Sequence, residues 1–243
     1  MKWMFMPLCA LTAMVLVGGC VTETNSSLRA KYDPDKAVEN SVAAAMIHLQ
    51  EGRVQDAHRN LKRAAEFDAN SPKVNNAYAL LYGLEGDRKR EEEHYKKAIR
   101  SDSSYSLARN NYAAFLFSQK RYDEAIDQLL EVVDDVEYEK RHAAFASLGQ
   151  CYLAQGEREE ARDAFFRSVR LLPQYYPSWI QLVGMSVDDK DFRAARSQLT
   201  SYEKTGPKTL ASLNYGLEIS KALGNQAAVA DYSRQIEALK AER

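Results

Sequence analysis

The stretch GRVQDAHRNLKRAAEFDANSPKVNNAYALLYGLEG, residues 52–86, begins and ends on glycines that lie thirty-four residues apart. The same interval recurs along the chain, with one slippage of two residues, at Gly52, Gly86, Lys120, Gly156, Lys190 and Gly224. A fixed period of roughly 20 to 50 residues is typical of repeat architectures, in which each unit is one supersecondary element. The sequence therefore predicts about six copies of one unit.

Two columns of residues repeat in step with these positions. Five residues after each position a small residue stands in most units, namely Ala57, Ala125, Ala161 and Ala195, with Glu91 and Val229 as departures. Four residues further on stand the large groups Leu61, Tyr95, Leu129, Phe165 and Leu199. Small residues let two helices approach closely, and large ones fill the space between helices. We predict that each unit is a pair of helices, joined by a turn where a left-handed backbone costs least for Gly.

The period and the two columns resemble the tetratricopeptide repeat. This resemblance implies an all-α fold, a right-handed solenoid of about six helix-turn-helix repeats with a long concave surface. The predicted repeats lie near 38–71, 72–105, 106–139, 142–175, 176–209 and 210–243. The mixed-charge run 134–141 is predicted to be a longer connection between the third and fourth repeats. Arrays of this kind usually bind peptides or proteins. The fold alone does not specify a function, which depends on the residues of a particular site.

Composition and charge narrow the classes of function. The chain has 243 residues, of which 45% are hydrophobic and 28% charged, as in ordinary folded proteins. Its formal net charge of -1 argues against nucleic acid as a partner, because nucleic-acid binding needs a clustered basic face. After residue 20 no stretch approaches the roughly 18 consecutive apolar residues of a spanning helix. We expect the repeat array to be soluble.

The N-terminal segment MKWMFMPLCALTAMVLVGGC has the layout of a secretory signal. Its ending, residues 17–20, resembles a bacterial lipoprotein box, which implies a signal peptide over 1–19 and acylation of Cys20. Val21, rather than Asp, follows the cysteine, and the resemblance then favours the outer membrane. Residues 20–37 are predicted to include the lipidated cysteine and a flexible tether. The alternative is an ordinary cleaved signal with an incidental cysteine.

The remaining sequence lacks catalytic and metal-binding patterns. The four histidines have no partner at metal-ligand spacing, and motifs such as HExxH, GxSxG or a glycine-rich phosphate loop are missing. We therefore predict no catalytic residue, no metal and no cofactor. His94, in the run 89–97, is predicted to lie on a solvated, charged helix face. Cys151 is predicted to be a small core residue, the alternative being a reactive thiol.

In the repeats that this chain resembles, five positions of each first helix line the concave groove. Carried onto the first three repeats, they give the predicted partner-binding residues Val42, Met46, Leu49, Asn76, Leu80, Leu84, Leu107, Asn110 and Phe117. We expect the apolar members to form an exposed stripe, which usually marks a partner site. Asn76 and Asn110 could then hold the backbone of a bound segment. Alternatively, the first helix is a cap on which Val42 and Met46 pack against the tether.

A lipoprotein signal, a short tether and six such repeats together resemble the outer-membrane lipoproteins of type IV pilus biogenesis and stability, the secretin pilotins. The segments 57–87 and 108–125 are similar to the N-terminal repeats of that family. The resemblance implies a non-catalytic protein on the periplasmic face of the outer membrane, held in the lipid by acylated Cys20. Its partner would be a secretin subunit of the type IV pilus system, which it would help to localise and assemble. The alternatives are a periplasmic scaffold for cell-wall enzymes or for outer-membrane protein assembly, and an enzyme on a helical scaffold.

Overall fold

The computed structural model describes residues 33–241, which form twelve α-helices and no strand within that range. The helices are α1 Pro34–Gln50, α2 Val54–Phe67, α3 Pro72–Glu85, α4 Arg88–Ser101, α5 Ser106–Ser118, α6 Tyr122–Asp134, α7 Arg141–Gln155, α8 Arg158–Leu171, α9 Tyr176–Asp188, α10 Phe192–Tyr202, α11 Leu210–Ala222 and α12 Gln226–Ala241. Consecutive helices pair into six hairpins, and α3 packs against both α1 and α2 of the preceding hairpin. The predicted all-α fold is confirmed.

The turn inside each hairpin has a left-handed backbone. Within residues 33–241, positive φ angles occur only at Gly52 (70°), Gly86 (77°), Lys120 (60°), Gly156 (84°), Lys190 (61°) and Gly224 (70°). These are the six positions that the period singled out, so the predicted turns are confirmed. The left-handed region costs an ordinary L-residue roughly 1–2 kcal/mol, which glycine avoids. The two lysine turns therefore carry local strain that the four glycine turns do not.

The repeating columns form the core. The column alanines Ala57, Ala125, Ala161 and Ala195 are all fully buried, and so are Leu61, Phe165 and Leu199 of the large column. Fully burying a side chain of this size contributes about 1.5–3 kcal/mol relative to leaving it exposed. Because each hairpin buries its apolar side on its neighbours, the core runs along the array from one unit to the next.

The first helix begins at Pro34, four residues before the predicted start of the array at residue 38. Asp33 caps it, since its Oδ1 accepts hydrogen bonds from the backbone N–H of Asp35 (3.1 Å) and of Lys36 (3.3 Å). Proline at the first helical position is also favourable. The predicted tether thus overlaps α1 by a full turn. Residues 1–32, including Cys20 and the predicted signal peptide, lie outside the described range.

Polar contacts tie successive hairpins together near the middle of the array. Glu92 on α4 accepts hydrogen bonds from Tyr112 Oη (2.9 Å) and Arg121 Nη1 (2.9 Å) of the third hairpin, and pairs with Lys96 (2.7 Å). Burial alone would raise the pKa of Glu92, but the hydrogen bonds from Lys96, Arg121 and Tyr112 outweigh it and lower the pKa to about 2. This carboxylate therefore joins the second and third hairpins while staying charged.

A second tie joins the fourth and fifth hairpins. Arg158, at the start of α8, donates from Nη2 to the backbone carbonyl of Met185 and to Asp189 Oδ1, both at 2.9 Å. Arg162, one turn further along α8, pairs with the other oxygen of Asp189. Two guanidinium groups thus hold the C-terminal end of α9, where unpaired carbonyl groups leave a partial negative charge.

Candidate partner-binding surface

The first helices of neighbouring hairpins lie side by side, because α1 contacts α3 and α3 contacts α5. Residues at equivalent positions therefore fall on one face of the array, as predicted for the groove. Their exposure differs along that face. Val42 and Met46 are half-buried against the core cluster that includes Leu49, which is only 7% exposed. The expectation of exposure is wrong for Leu49, whose side chain belongs to the core of the first hairpin.

The two predicted leucines on α3 have different surroundings. Leu80 is half-buried and packs against the cores of both the first and the third hairpins. Leu84, one turn later, is 58% exposed. A charge at position 80 would thus disturb the core, whereas a charge at position 84 would change only the surface. Leu84 is the accessible apolar contact on this helix.

The two predicted asparagines also differ. Asn76 is only 3% exposed, and its Oδ1 accepts a hydrogen bond from Asn111 Nδ2 at 3.0 Å. This bond joins α3 to α5, so the expectation that Asn76 lies in an exposed stripe is wrong. Asn110 is half-buried, and its side chain makes no hydrogen bond to another residue of the described range. The free amide on this surface therefore belongs to Asn110.

The remaining two predicted residues lie on α5. Phe117 is half-buried, with its ring centroid 5.4 Å from that of Tyr122 in the following helix. Leu107, near the start of α5, is 36% exposed and lines a cleft together with Tyr105 and Tyr138. The accessible part of the predicted surface is thus Leu84, Leu107 and Asn110, flanked by partly exposed Met46 and Phe117. Binding of a partner there stays a prediction.

One acidic residue of α4 lies inside the second hairpin. Glu91 is 6% exposed and fills the column that alanine occupies in four other repeats. Its Oε2 accepts a hydrogen bond from Arg88 Nη1 at 2.7 Å. Space for the carboxylate comes from Gly83, where an added Cβ would lie 2.8 Å from Glu91 Oε1. Glycine opposite an acidic residue was the feature of the sequence that could have indicated this burial.

His94 is likewise withdrawn from solvent. Its ring lies 5.2 Å from the ring centroids of both Tyr78 and Tyr82, and Nδ1 is 3.0 Å from Asn75 Oδ1. Burial, together with the positive charge of Lys97, lowers the pKa of His94 to about 4. The predicted solvated helix face is therefore wrong for Glu91 and His94. At neutral pH the histidine is uncharged and packs between the two helices of the second hairpin.

The described residues contain no cluster typical of metal chemistry. Within residues 33–241 no three His, Cys, Asp or Glu side chains converge as metal ligands. Nor does any helix of that range combine the length and apolar character needed to cross a membrane. Cys151 is 1% exposed, and burial raises the pKa of its thiol to about 11. The prediction that Cys151 is a core residue is confirmed.

Comparison with known families agrees with this architecture. A family model described as tetratricopeptide repeat matches residues 104–174, which span the third and fourth hairpins. The fold is a solenoid of tetratricopeptide-repeat hairpins. The described residues extend the same hairpin on both sides of the matched segment, so the array contains six such repeats within residues 33–241.

Similar proteins come from type IV pilus systems. The chain is 29% identical to the type IV pilus assembly protein PilF of Pseudomonas aeruginosa over 233 residues, which cover 95% of this chain and 92% of PilF. A solved structure of Pseudomonas aeruginosa pilF superposes with a TM-score of 0.78 at 27% identity and covers 86% of this chain and 99% of that one. The structure of PilW, a type IV pilus biogenesis factor, gives 0.70 at 22% identity, with 83% and 92% covered. This last similarity shows the shared fold.

Proposed function

We propose that this chain is a non-catalytic, lipid-anchored pilotin that binds a secretin subunit through the concave face of its first three repeats. It would promote outer-membrane localisation and assembly of that subunit for type IV pilus biogenesis. The observation that supports the proposal best is the similarity to the pilus assembly protein PilF, which extends over 95% of this chain. Because generic repeat similarity usually covers only some units, agreement over the whole length favours a shared role.

The surface on the first helices suits a protein partner. Leu84 and Leu107 present apolar area, and Asn110 offers an amide that can both donate and accept a hydrogen bond. Burial of apolar area supplies most of the affinity at such a surface, at about 25 cal/mol per Å². The buried Asn76–Asn111 bond fixes α3 against α5, so the surface is held in place before a partner arrives.

The lipid anchor on Cys20 would raise the local concentration of the protein at the membrane. Acyl chains on Cys20 would each contribute about 0.8 kcal/mol per buried CH₂ and retain the protein at the outer membrane. A binding surface confined near the bilayer meets a membrane-bound partner at a raised effective concentration. The decisive variant is Cys20→Ser. It should move the protein from the outer-membrane to the soluble periplasmic fraction, and unchanged fractionation would remove the anchor from the proposal.

Partner binding is tested by crosslinking and pull-down from cell envelopes. The variant is Leu84→Glu, because Leu84 is 58% exposed and its change leaves the core intact. The matched control is Leu223→Glu, since Leu223 is 45% exposed but lies beyond the end of α11, far along the chain. Circular dichroism on both variants verifies that the helices are retained.

We expect the unmodified protein and the Leu223→Glu control to capture a secretin subunit, and Leu84→Glu to lose it. Equal capture by Leu84→Glu would mean that the partner binds elsewhere. Capture of cell-wall enzymes or outer-membrane assembly subunits in place of a secretin would favour the periplasmic scaffold.

A further inference from the structure

The cleft that Leu107 lines with Tyr105 and Tyr138 lies beside the connection between α6 and α7. It has a volume of about 390 Å³ and is lined by Tyr105 and Leu107 from the start of the third repeat and by Tyr138 from the connection. This connection contains the two residues by which the chain departs from its regular period. The insertion places additional side chains beside the junction of the third and fourth hairpins.

Apolar side chains are accessible in and beside this cleft. Leu107, in its wall, is 36% exposed. Val136, which lies in sequence between the lining residues Asp135 and Glu137, is 71% exposed, the highest value among the large hydrophobic side chains of residues 33–241. The Tyr138 hydroxyl is buried in the wall and has no hydrogen-bond partner within the described part of the chain. Exposed apolar groups concentrated in one place usually mark a binding surface.

The rim of the cleft is acidic. Asp135, Glu137 and Glu139 line it, against the single cation Lys140. Asp135 is held in place, because it accepts hydrogen bonds from Ser106 Oγ and from the backbone N–H of Glu137 (3.0 Å). Glu137 and Glu139 are exposed and form no ion pair with any residue between 33 and 241. Two carboxylates are thus available to a cationic group from outside.

We propose that this cleft docks an arginine-bearing segment of a partner protein. The aliphatic stem of an arginine would pack on Leu107 and the tyrosine rings, while its guanidinium would pair with Glu137 and Glu139. A flanking apolar residue of the segment would cover Val136. The planar guanidinium also stacks on aromatic rings, which an ammonium does less well.

The negative charge of the cleft rim disfavours occupants other than a cationic segment. An anionic lipid headgroup would meet three carboxylates and be repelled. An uncharged apolar segment would cover the carboxylates without pairing them, and this desolvation is unfavourable. A cationic segment alone satisfies both the acidic rim and the apolar walls. The cleft shares Leu107 with the surface on the first helices, but the proposal does not rest on secretin binding, because Glu137 and Glu139, which pair with the arginine, are not part of that surface.

The test is a binding titration of the full chain, kept in detergent, with the fluorescent peptide Gly-Leu-Arg-Leu-Arg-Gly. A second peptide carries citrulline in place of both arginines and so keeps the shape without the charge. The protein variant is Glu137→Gln with Glu139→Gln. The control is Glu66→Gln with Glu218→Gln, which removes the same charge from exposed positions without ion pairs in the described residues.

We expect the arginine peptide to bind the control as it binds the unmodified protein. The Glu137→Gln and Glu139→Gln double variant should bind it about fourfold to tenfold more weakly, since each exposed ion pair contributes modestly. Val136→Ser should weaken binding of both peptides, because it removes apolar area only. Equal affinity for the arginine and citrulline peptides, or equal affinity of the double variant and its control, would overturn the proposal.

Discussion

The second hairpin (α3–α4) and the fourth (α7–α8) have the same backbone plan but fill it with different chemistry. In the fourth, the small and large columns hold Ala161 and Phe165, both fully buried. In the second, the same columns hold Glu91 and Tyr95, and Glu91 keeps an ion pair with Arg88. The repeat therefore specifies where a side chain lies but not whether it is apolar.

This difference changes how each hairpin responds to its surroundings. The fourth depends on close packing, since the Phe165 ring fills the space beside Gly149, where an added Cβ would lie 2.8 Å from the ring. The second contains a half-buried group that can take up a proton, His94, whose ring packs against Tyr78 and Tyr82. We expect the fourth hairpin to be sensitive to side-chain volume and the second to pH.

The largest effect should come from Phe165→Ala. Removing a fully buried phenylalanine leaves a cavity and lowers the free energy of unfolding by about 3–5 kcal/mol. The neighbouring Phe166 is 38% exposed, so Phe166→Ala serves as the control and should cost under about 1 kcal/mol. Urea unfolding followed by circular dichroism measures both. Equal costs would show that the fourth hairpin does not depend on the buried ring.

The next effect concerns pH and the second hairpin. The folded pKa of His94, about 4, lies below its unfolded value of 6.5, so the unfolded state takes up the proton first. The free energy of unfolding is therefore highest above about pH 6.5 and falls as the pH drops towards 4. About 2 kcal/mol is lost between pH 7 and pH 5.

The measurement is urea unfolding of the unmodified protein and of His94→Gln at both pH values. Other titrating groups act in both proteins, so the difference between the two pH dependences isolates His94. A variant whose stability falls as steeply as that of the unmodified protein would assign the pH dependence to other groups.

A smaller effect compares one substitution in both hairpins. Gly149→Ala should lower the free energy of unfolding by about 1–2 kcal/mol, because the added methyl meets the rigid ring of Phe165. Gly83→Ala meets only the end of the flexible Glu91 side chain and should cost less. The double variant Gly149→Ala with Phe165→Leu should lose less free energy of unfolding than the sum of the two single variants, because the smaller side chain relieves the clash. If the two losses simply added, the side chains would not clash.

The smallest change is chemical and leaves stability unaltered. Burial raises the pKa of Cys151 to about 11, so the folded protein should alkylate there far more slowly than an unfolded chain. Mass spectrometry of the peptide that contains Cys151, with and without urea, follows the reaction. Rapid alkylation without urea would mean that the fourth hairpin opens readily.

The period alone predicts much of the fold. Because a left-handed turn is needed once per hairpin, the period correctly predicts positive φ angles even at Lys120 and Lys190. It also places the column alanines in the core, since the close approach of the two helices favours small groups there. Hydrophobic periodicity begins inside α1 and therefore predicts a start at residue 38. The signals that mark the actual start are the Asp33 cap and Pro34.

The candidate surface was less predictable. Position in the repeat tells which residues face the groove, but the neighbouring helix decides how much of each is covered. Asn76 was expected in an exposed stripe, but it is buried because Asn111 of the next repeat packs against it and donates a hydrogen bond to its Oδ1. Leu49 is covered in a core cluster that the first hairpin shares with α3 of the second. Such contacts depend on the relative placement of two helices, which single-repeat reasoning does not contain.

The pair of arginines at the end of α9 also has a mechanical meaning. A repeat array pulled at its ends extends like a spring, because each hairpin contacts only its neighbours. At the junction of the fourth and fifth hairpins, Arg158 and Arg162 cross from α8 to Asp189 and to the Met185 carbonyl. Because these contacts bridge the same two hairpins, tension along the array would load them in parallel. The expected consequence is a junction that resists extension.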